Sequence, residues 1–99
     1  MPITVQLIAG RPPGRSLAEV QDVRFPPLDE QEANFPLMSG VDPYSYTVFN
    51  QLQMKRLPAE IDELVPLLAE QEQSPLLRVR DLAQTGAKRP HHNLVFLGD

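Results

Sequence analysis

Two adjacent histidines, His91-His92, are the residues best suited to proton transfer or metal ligation in this chain of 99 residues. An imidazole with an ordinary pKa near about 6.5 can act as a general base at neutral pH. Asp42, Tyr44 and Asp99 are the groups that could join one histidine in an acid and base cluster. Metal binding is disfavoured: neighbours in extended chain point to opposite faces, and the HExxH spacing that places two histidines on one helical face is absent. The absence of cysteine excludes thiolate ligands and disulfides, and fits a reducing compartment. No Gly-x-Ser-x-Gly nucleophile motif accompanies the acids. The segment Gly10-Arg11-Pro12-Pro13-Gly14 is bounded by glycines but lacks the Gly-Lys-Ser/Thr ending of a phosphate loop, and its prolines withhold backbone donors. It reads as a stiff connector. The expectation is therefore no catalytic residue, no metal and no cofactor.

A simpler role suits Asp42. Placed before Pro43, its carboxylate can accept backbone N–H groups from Tyr44 or Ser45 in an Asx-type turn, with the tyrosines held tips outward. Aspartate used in this way stays ionised, the opposite of a general acid at neutral pH. The stretch Val41-Asp42-Pro43-Tyr44-Ser45-Tyr46-Thr47-Val48-Phe49-Asn50 thus reads as a structural or binding hub.

The elements that position these residues follow from periodicity. Ile3, Val5 and Leu7 alternate with Thr4 and Gln6, the pattern of a half-buried strand. Ser16-Leu17-Ala18-Glu19 has the form of a capping box, but Pro26 leaves little room for a helix, so a second strand is expected near 19–25. Residues 29–34 read as a surface loop, and Phe35-Pro36-Leu37-Met38 as a return to the core. Asn50 followed by Gln53 forms a capping box, so extended chain should run to Phe49 and a helix start near Gln51. Leu57, Ile61, Leu64, Val65 and Leu68 mark its apolar face, opposite Glu60, Asp62, Glu63 and Glu70. Pro58 and Pro66 should kink or restart it. Ser74-Pro75 predicts a second helix over about 75–85 that ends at Gly86, with the helices joined near Gln73. Leu76, Val79 and Ala83 face inward, flanked by Leu77 and Leu82. Leu94-Val95-Phe96-Leu97 reads as a last strand.

These elements predict one α+β domain over residues 1–99: a small, mostly antiparallel sheet of about three strands covered on one face by a helical hairpin. Leu64, Val65, Leu68, Leu76, Val79 and Phe96 are expected in a single core. Eleven prolines, about twice average usage, are dispersed among periodic segments and act as punctuation. The net charge of −4 disfavours nucleic acid or an anionic membrane as partner. No apolar run approaches a membrane span, and the N-terminus lacks the features of a signal peptide, so a cytoplasmic protein is expected. Charge is uneven. Lys55 to Gln73 holds two cations against five anions, and Ser74 to His92 four cations against one anion. Pairing across the hairpin or an electrostatic docking face would each account for this.

The run Asp42-Pro43-Tyr44-x-x-Thr47-Val48-Phe49-Asn50-x-Leu52-Gln53-Met54, the acidic amphipathic helix after it and the ending Phe96-Leu97-Gly98-Asp99 resemble a family of small bacterial proteins of unknown function. The resemblance implies a bacterial cytoplasmic protein, carries over no catalytic residue, and points to the Asp-Pro-Tyr segment as the centre. The leading expectation is a non-catalytic protein-protein interaction module, of inhibitor or immunity type, which leaves room for a homodimer. Its binding residues would be Asp42, Tyr44, Tyr46, Asn50 and Gln53, near the helical hairpin. The alternative is a small-molecule-binding protein or modest enzyme using Asp42, Tyr44 and His91 or His92.

Overall fold

The computed structural model describes residues 2–12, 14–28 and 34–98. In chain order they form β1 (Ile3–Ala9), β2 (Arg15–Val23), a 3-10 turn (Met38–Gly40), β3 (Tyr46–Phe49), α1 (Gln51–Leu64), a second 3-10 turn (Val65–Leu67), α2 (Glu70–Ala87) and β4 (His92–Leu97). The architecture is α+β, an antiparallel open sheet in the order β2-β1-β4-β3 with both helices packed on one face. The sheet has four strands where about three were expected. The fourth is β3, the extended chain leading to Phe49, which becomes a strand only because β4 lies beside it. The segment expected as a loop at 29–34 falls outside the described residues except for Asn34. Among the described residues, no helix is long and apolar enough to cross a membrane.

Alternation places Ile3, Val5 and Leu7 of β1, Val20 of β2, Phe49 of β3, and Leu94 and Phe96 of β4 against the helices, and the register shift between the pairs Val5–Val20 and Ile3–Val23 returns Val23 to the same face. The helices contribute Met54, Leu57, Ile61 and Leu64 from α1, and Leu76, Val79 and Ala83 from α2. Leu68 joins this core, and Val65 packs half-buried at its margin. The capping box holds in detail: Gln53 N–H donates to Asn50 Oδ1 (3.0 Å) and Asn50 N–H to Gln53 Oε1 (2.9 Å). It sets the first turn of α1, and Gln51 Nε2 then donates to the Ala87 carbonyl (3.0 Å) at the far end of α2.

Three local expectations are corrected. The hairpin turns at 65–69, ahead of Gln73, and α2 starts at Glu70, ahead of Ser74-Pro75. Glu70 and Glu72 in the first turn suit the positive end of the helix, and Glu72 Oε1 accepts the Ala69 N–H (3.2 Å). Pro75 therefore lies inside α2, where it denies a donor to the carbonyl of Gln71, an exposed residue. Pro58 is likewise carried within α1, whereas Pro66 coincides with the change to a 3-10 turn.

Gly86 does not end α2. It is buried one residue before the last helical position, and a Cβ there would lie 2.6 Å from Met54 Sδ and 2.7 Å from Leu7 Cδ1. Its lack of a side chain lets α2 approach α1 and β1 closely. The third correction is Glu60, expected on the solvent face of α1 and found 6% exposed. Its Oε1 accepts the N–H groups of Leu37 (3.0 Å) and Met38 (2.9 Å), and Oε2 also receives Leu37 (3.1 Å). These donors open the 3-10 turn Met38–Gly40, so the buried carboxylate pins the segment re-entering the core through Phe35 and Met38.

Candidate functional site

The sequence-predicted site residues divide between two ends of the sheet. At one end, Asp42 Oδ1 accepts the Tyr44 N–H (2.8 Å), the expected Asx turn, while the Asp42 N–H donates to Thr47 Oγ1 (3.0 Å). The turn packs on the end of β4, where a Cβ at Gly98 would lie 2.5 Å from the Pro43 carbonyl. Replacing Asp42 by alanine should cost about 0.5–2 kcal/mol, the scale of a lost cap, and asparagine should recover much of it. Paired urea melts check this; equal stability of all three proteins would refute a structural role.

His91 and His92 sit at the other end. His92 pairs with Ala9, whereas Leu97 pairs with Tyr46, so β4 separates the histidines from the Asp42 turn by roughly 20 Å at 3.3 Å per residue. The proposed union of Asp42 and Tyr44 with a histidine is thus not formed, and Asp99 lies outside the described residues. His91 has φ 62°, a left-handed conformation tolerated by histidine, and its carbonyl accepts the Gly10 N–H (2.6 Å). The His92 Nδ1 lies 2.9 Å from the Pro90 carbonyl. Both histidines shape the turn into β4. Among the described residues there is no group of three or more metal-ligating His, Asp or Glu side chains.

Asn50 and Gln53 use their side-chain oxygens on the helix cap. Tyr44 and Tyr46 are both exposed, at 71% and 64%. They have different surroundings. Tyr44 and Asp42 border a cleft of ≈ 610 Å³ whose other walls include Ile3, Phe25, Pro27 and Val41. Tyr46 lies on the sheet face opposite the helices, so it does not share a surface with the helical hairpin.

That open face was missed by reasoning on the helices alone. Ile8 and Val95 are buried, 2% and 3% exposed, yet neither belongs to the core beneath the helices. They alternate with core residues and therefore point the other way, alongside Gln6, Leu97, Tyr46 and Val48. Pro12 and Gly14 border them, and a Cβ at Gly14 would lie 3.1 Å from Ile8 Cδ1. Pro12, Gly14, Ile8, Val95, Leu97 and Tyr46 thus enclose an open groove of ≈ 280 Å³. The sequence signal for it was the pair Ile8 and Val95, which break the alternation of β1 and β4 by placing apolar residues on both faces.

Toward β2 the face becomes polar. Gln6 Nε2 donates to Glu19 Oε1 (2.7 Å) and Gln21 Nε2 to Glu19 Oε2 (2.8 Å). These bonds, Gln6 first, hold the Glu19 carboxyl below its usual range because they favour the charged form. The charge asymmetry of the helices is met by one ion pair among the described residues, Arg80 Nη1 to Asp62 Oδ1 at 2.6 Å, which joins α2 to α1. Compared with protein families, curated proteins and solved structures, the chain matches none.

Proposed function

We propose that the protein is a non-catalytic interaction module whose open sheet face binds another protein. The observation that carries this reading is the groove framed by Pro12, Ile8, Val95, Leu97 and Tyr46, an apolar depression on a face that the helices leave uncovered. An apolar side chain of a partner seated there would bury Tyr46 and displace water, while Gln6 and Glu19 at the rim offer polar contacts. The acidic balance of the chain favours a partner surface with basic character at its rim and weighs against nucleic acid. An inhibitor or immunity type of role is consistent with such a surface. A bacterial, cytoplasmic setting remains part of the proposal.

A second reading, a small-molecule-binding protein, draws on the ≈ 610 Å³ cleft beside Asp42 and Tyr44. Its walls offer apolar contact, and the Asp42 carboxylate is already engaged by the Tyr44 N–H. Quantitative co-purification from the native host tests the two readings together. A specific protein recovered with the wild type should fall by about tenfold or more with Tyr46→Ala combined with Pro12→Ser, a loss on the scale of one interface hot spot. Undiminished recovery with that variant, together with a small molecule retained by the wild type and lost in Tyr44→Ala, would replace the first reading by the second.

A further inference from the structure

We infer that β3 is the dimerisation edge of this protein, pairing antiparallel with β3 of a second copy to join two four-stranded sheets. The inference does not depend on the partner proposed above, because it rests on main-chain groups and on charge. The Gly98 N–H donates to the Ser45 carbonyl (2.8 Å), which makes Ser45 and Gly98 a hydrogen-bonded pair of the β3–β4 ladder. Such pairs alternate along an antiparallel ladder, so Thr47 with Phe96 and Phe49 with Leu94 are also hydrogen-bonded pairs. The N–H and C=O groups of Tyr46 and Val48 therefore point outward from the sheet. Among the described residues neither donates nor accepts there.

The two edges of the sheet are unlike. The β2 edge carries the devices that keep an edge unpaired: two register shifts, Asp22 at φ 57°, and the charges of Arg15, Glu19 and Asp22. None of these occurs on β3, whose sequence is Tyr-Thr-Val-Phe. The neutral stretch is longer than the strand. From Pro43 to Met54 there is no charged side chain, in a chain where 22% of residues are charged.

Only one register suits a second copy well. A two-fold axis through Thr47 sets Tyr46 opposite Val48 of the partner and Val48 opposite Tyr46 of the partner, using all the outward groups of both residues in hydrogen bonds. It keeps open face beside open face, and it aligns the neutral stretches so that no like charges meet. Each aromatic and β-branched pair adds cross-strand contact, and Tyr46 and Val48, 64% and 37% exposed, are the side chains brought together. A shift by one residue would centre the axis on Val48 and oppose Tyr46 to Asn50, whose N–H is already given to Gln53 Oε1. The dimer would carry both grooves on one continuous surface.

Light scattering on the purified full chain over a concentration series provides the test, supported by cross-linking that the absence of native cysteine makes unambiguous. The wild type should approach twice the 11.1 kDa of one chain. Val48→Pro removes one outward donor from each copy and leaves the β3–β4 bonds in place, so it should weaken association by about tenfold or more. Thr47→Cys should form a covalent dimer on oxidation, because the two Cα atoms would face each other at about 4.5 Å. Val48→Cys should not, its Cα atoms being about 8 Å apart in this register. A single-chain mass at every concentration, unchanged association in Val48→Pro, or better cross-linking at 48 than at 47 would each overturn the inference. If Val48→Pro fails to fold, the two cysteine variants decide.

Discussion

Phe96→Ala is expected to lower stability by about 3–5 kcal/mol, the range for a large aromatic removed from a core that cannot collapse around the gap. Phe96 is fully buried and packs edge-on against Phe49, with ring centroids 5.4 Å apart and planes at 83°. Pairs of this geometry add to what area burial alone supplies. The residue also lies where β4 meets both β1 and β3, opposite Val5 on one side and Thr47 on the other. Its loss removes contact from both neighbours and from the helices at once. Set against a total of about 5–15 kcal/mol for a domain of ordinary stability, the change is a large fraction of the whole. Urea unfolding followed by circular dichroism reads it as a fall in midpoint. A change below about 1 kcal/mol, small for any buried deletion, would mean that Phe96 does not fill the core between the sheet and the helices.

Glu60→Ala is expected to cost about 2–5 kcal/mol through a different mechanism. Its carboxylate is the acceptor for the N–H groups of Leu37 and Met38, and each donor left unsatisfied away from water costs about 1–3 kcal/mol. Glu60→Gln keeps one acceptor oxygen and should recover part of the loss. Hydrogen exchange distinguishes this from a general loosening: the amides of Leu37 and Met38 should exchange faster in Glu60→Ala, beyond the change seen for β1. If Glu60→Ala is as stable as the wild type and its Leu37 amide stays protected, the carboxylate does not organise this segment.

Features governed by neighbours within a turn or two were legible in the sequence. The alternation of Ile3, Val5 and Leu7, the reciprocal cap of Asn50 and Gln53, the Asx turn at Asp42 and the inward face Leu76, Val79 and Ala83 depend on short-range geometry that side-chain type reports directly. Where two short-range signals competed, the stronger-looking one misled. Ser74-Pro75 has the form of a helix start, yet the acids at Glu70 and Glu72 begin α2 earlier, and the packing of Leu76 and Val79 holds Pro75 inside it.

What only the tertiary structure decided involves partners far apart in the chain. Glu60 reads as a solvent-facing charge until Leu37 and Met38 bring donors to it, 23 and 22 residues away. Gly86 reads as a helix terminator until Leu7 and Met54 are seen to occupy the space of its missing side chain. The separation of Asp42 from the histidines follows from their positions at opposite ends of β4. The open groove and the unguarded edge follow from strand order, which places β3 outermost. The physical reason is common to these cases: composition and periodicity report which groups seek burial or a hydrogen bond, whereas which group satisfies another is settled only when chain closure brings distant segments together.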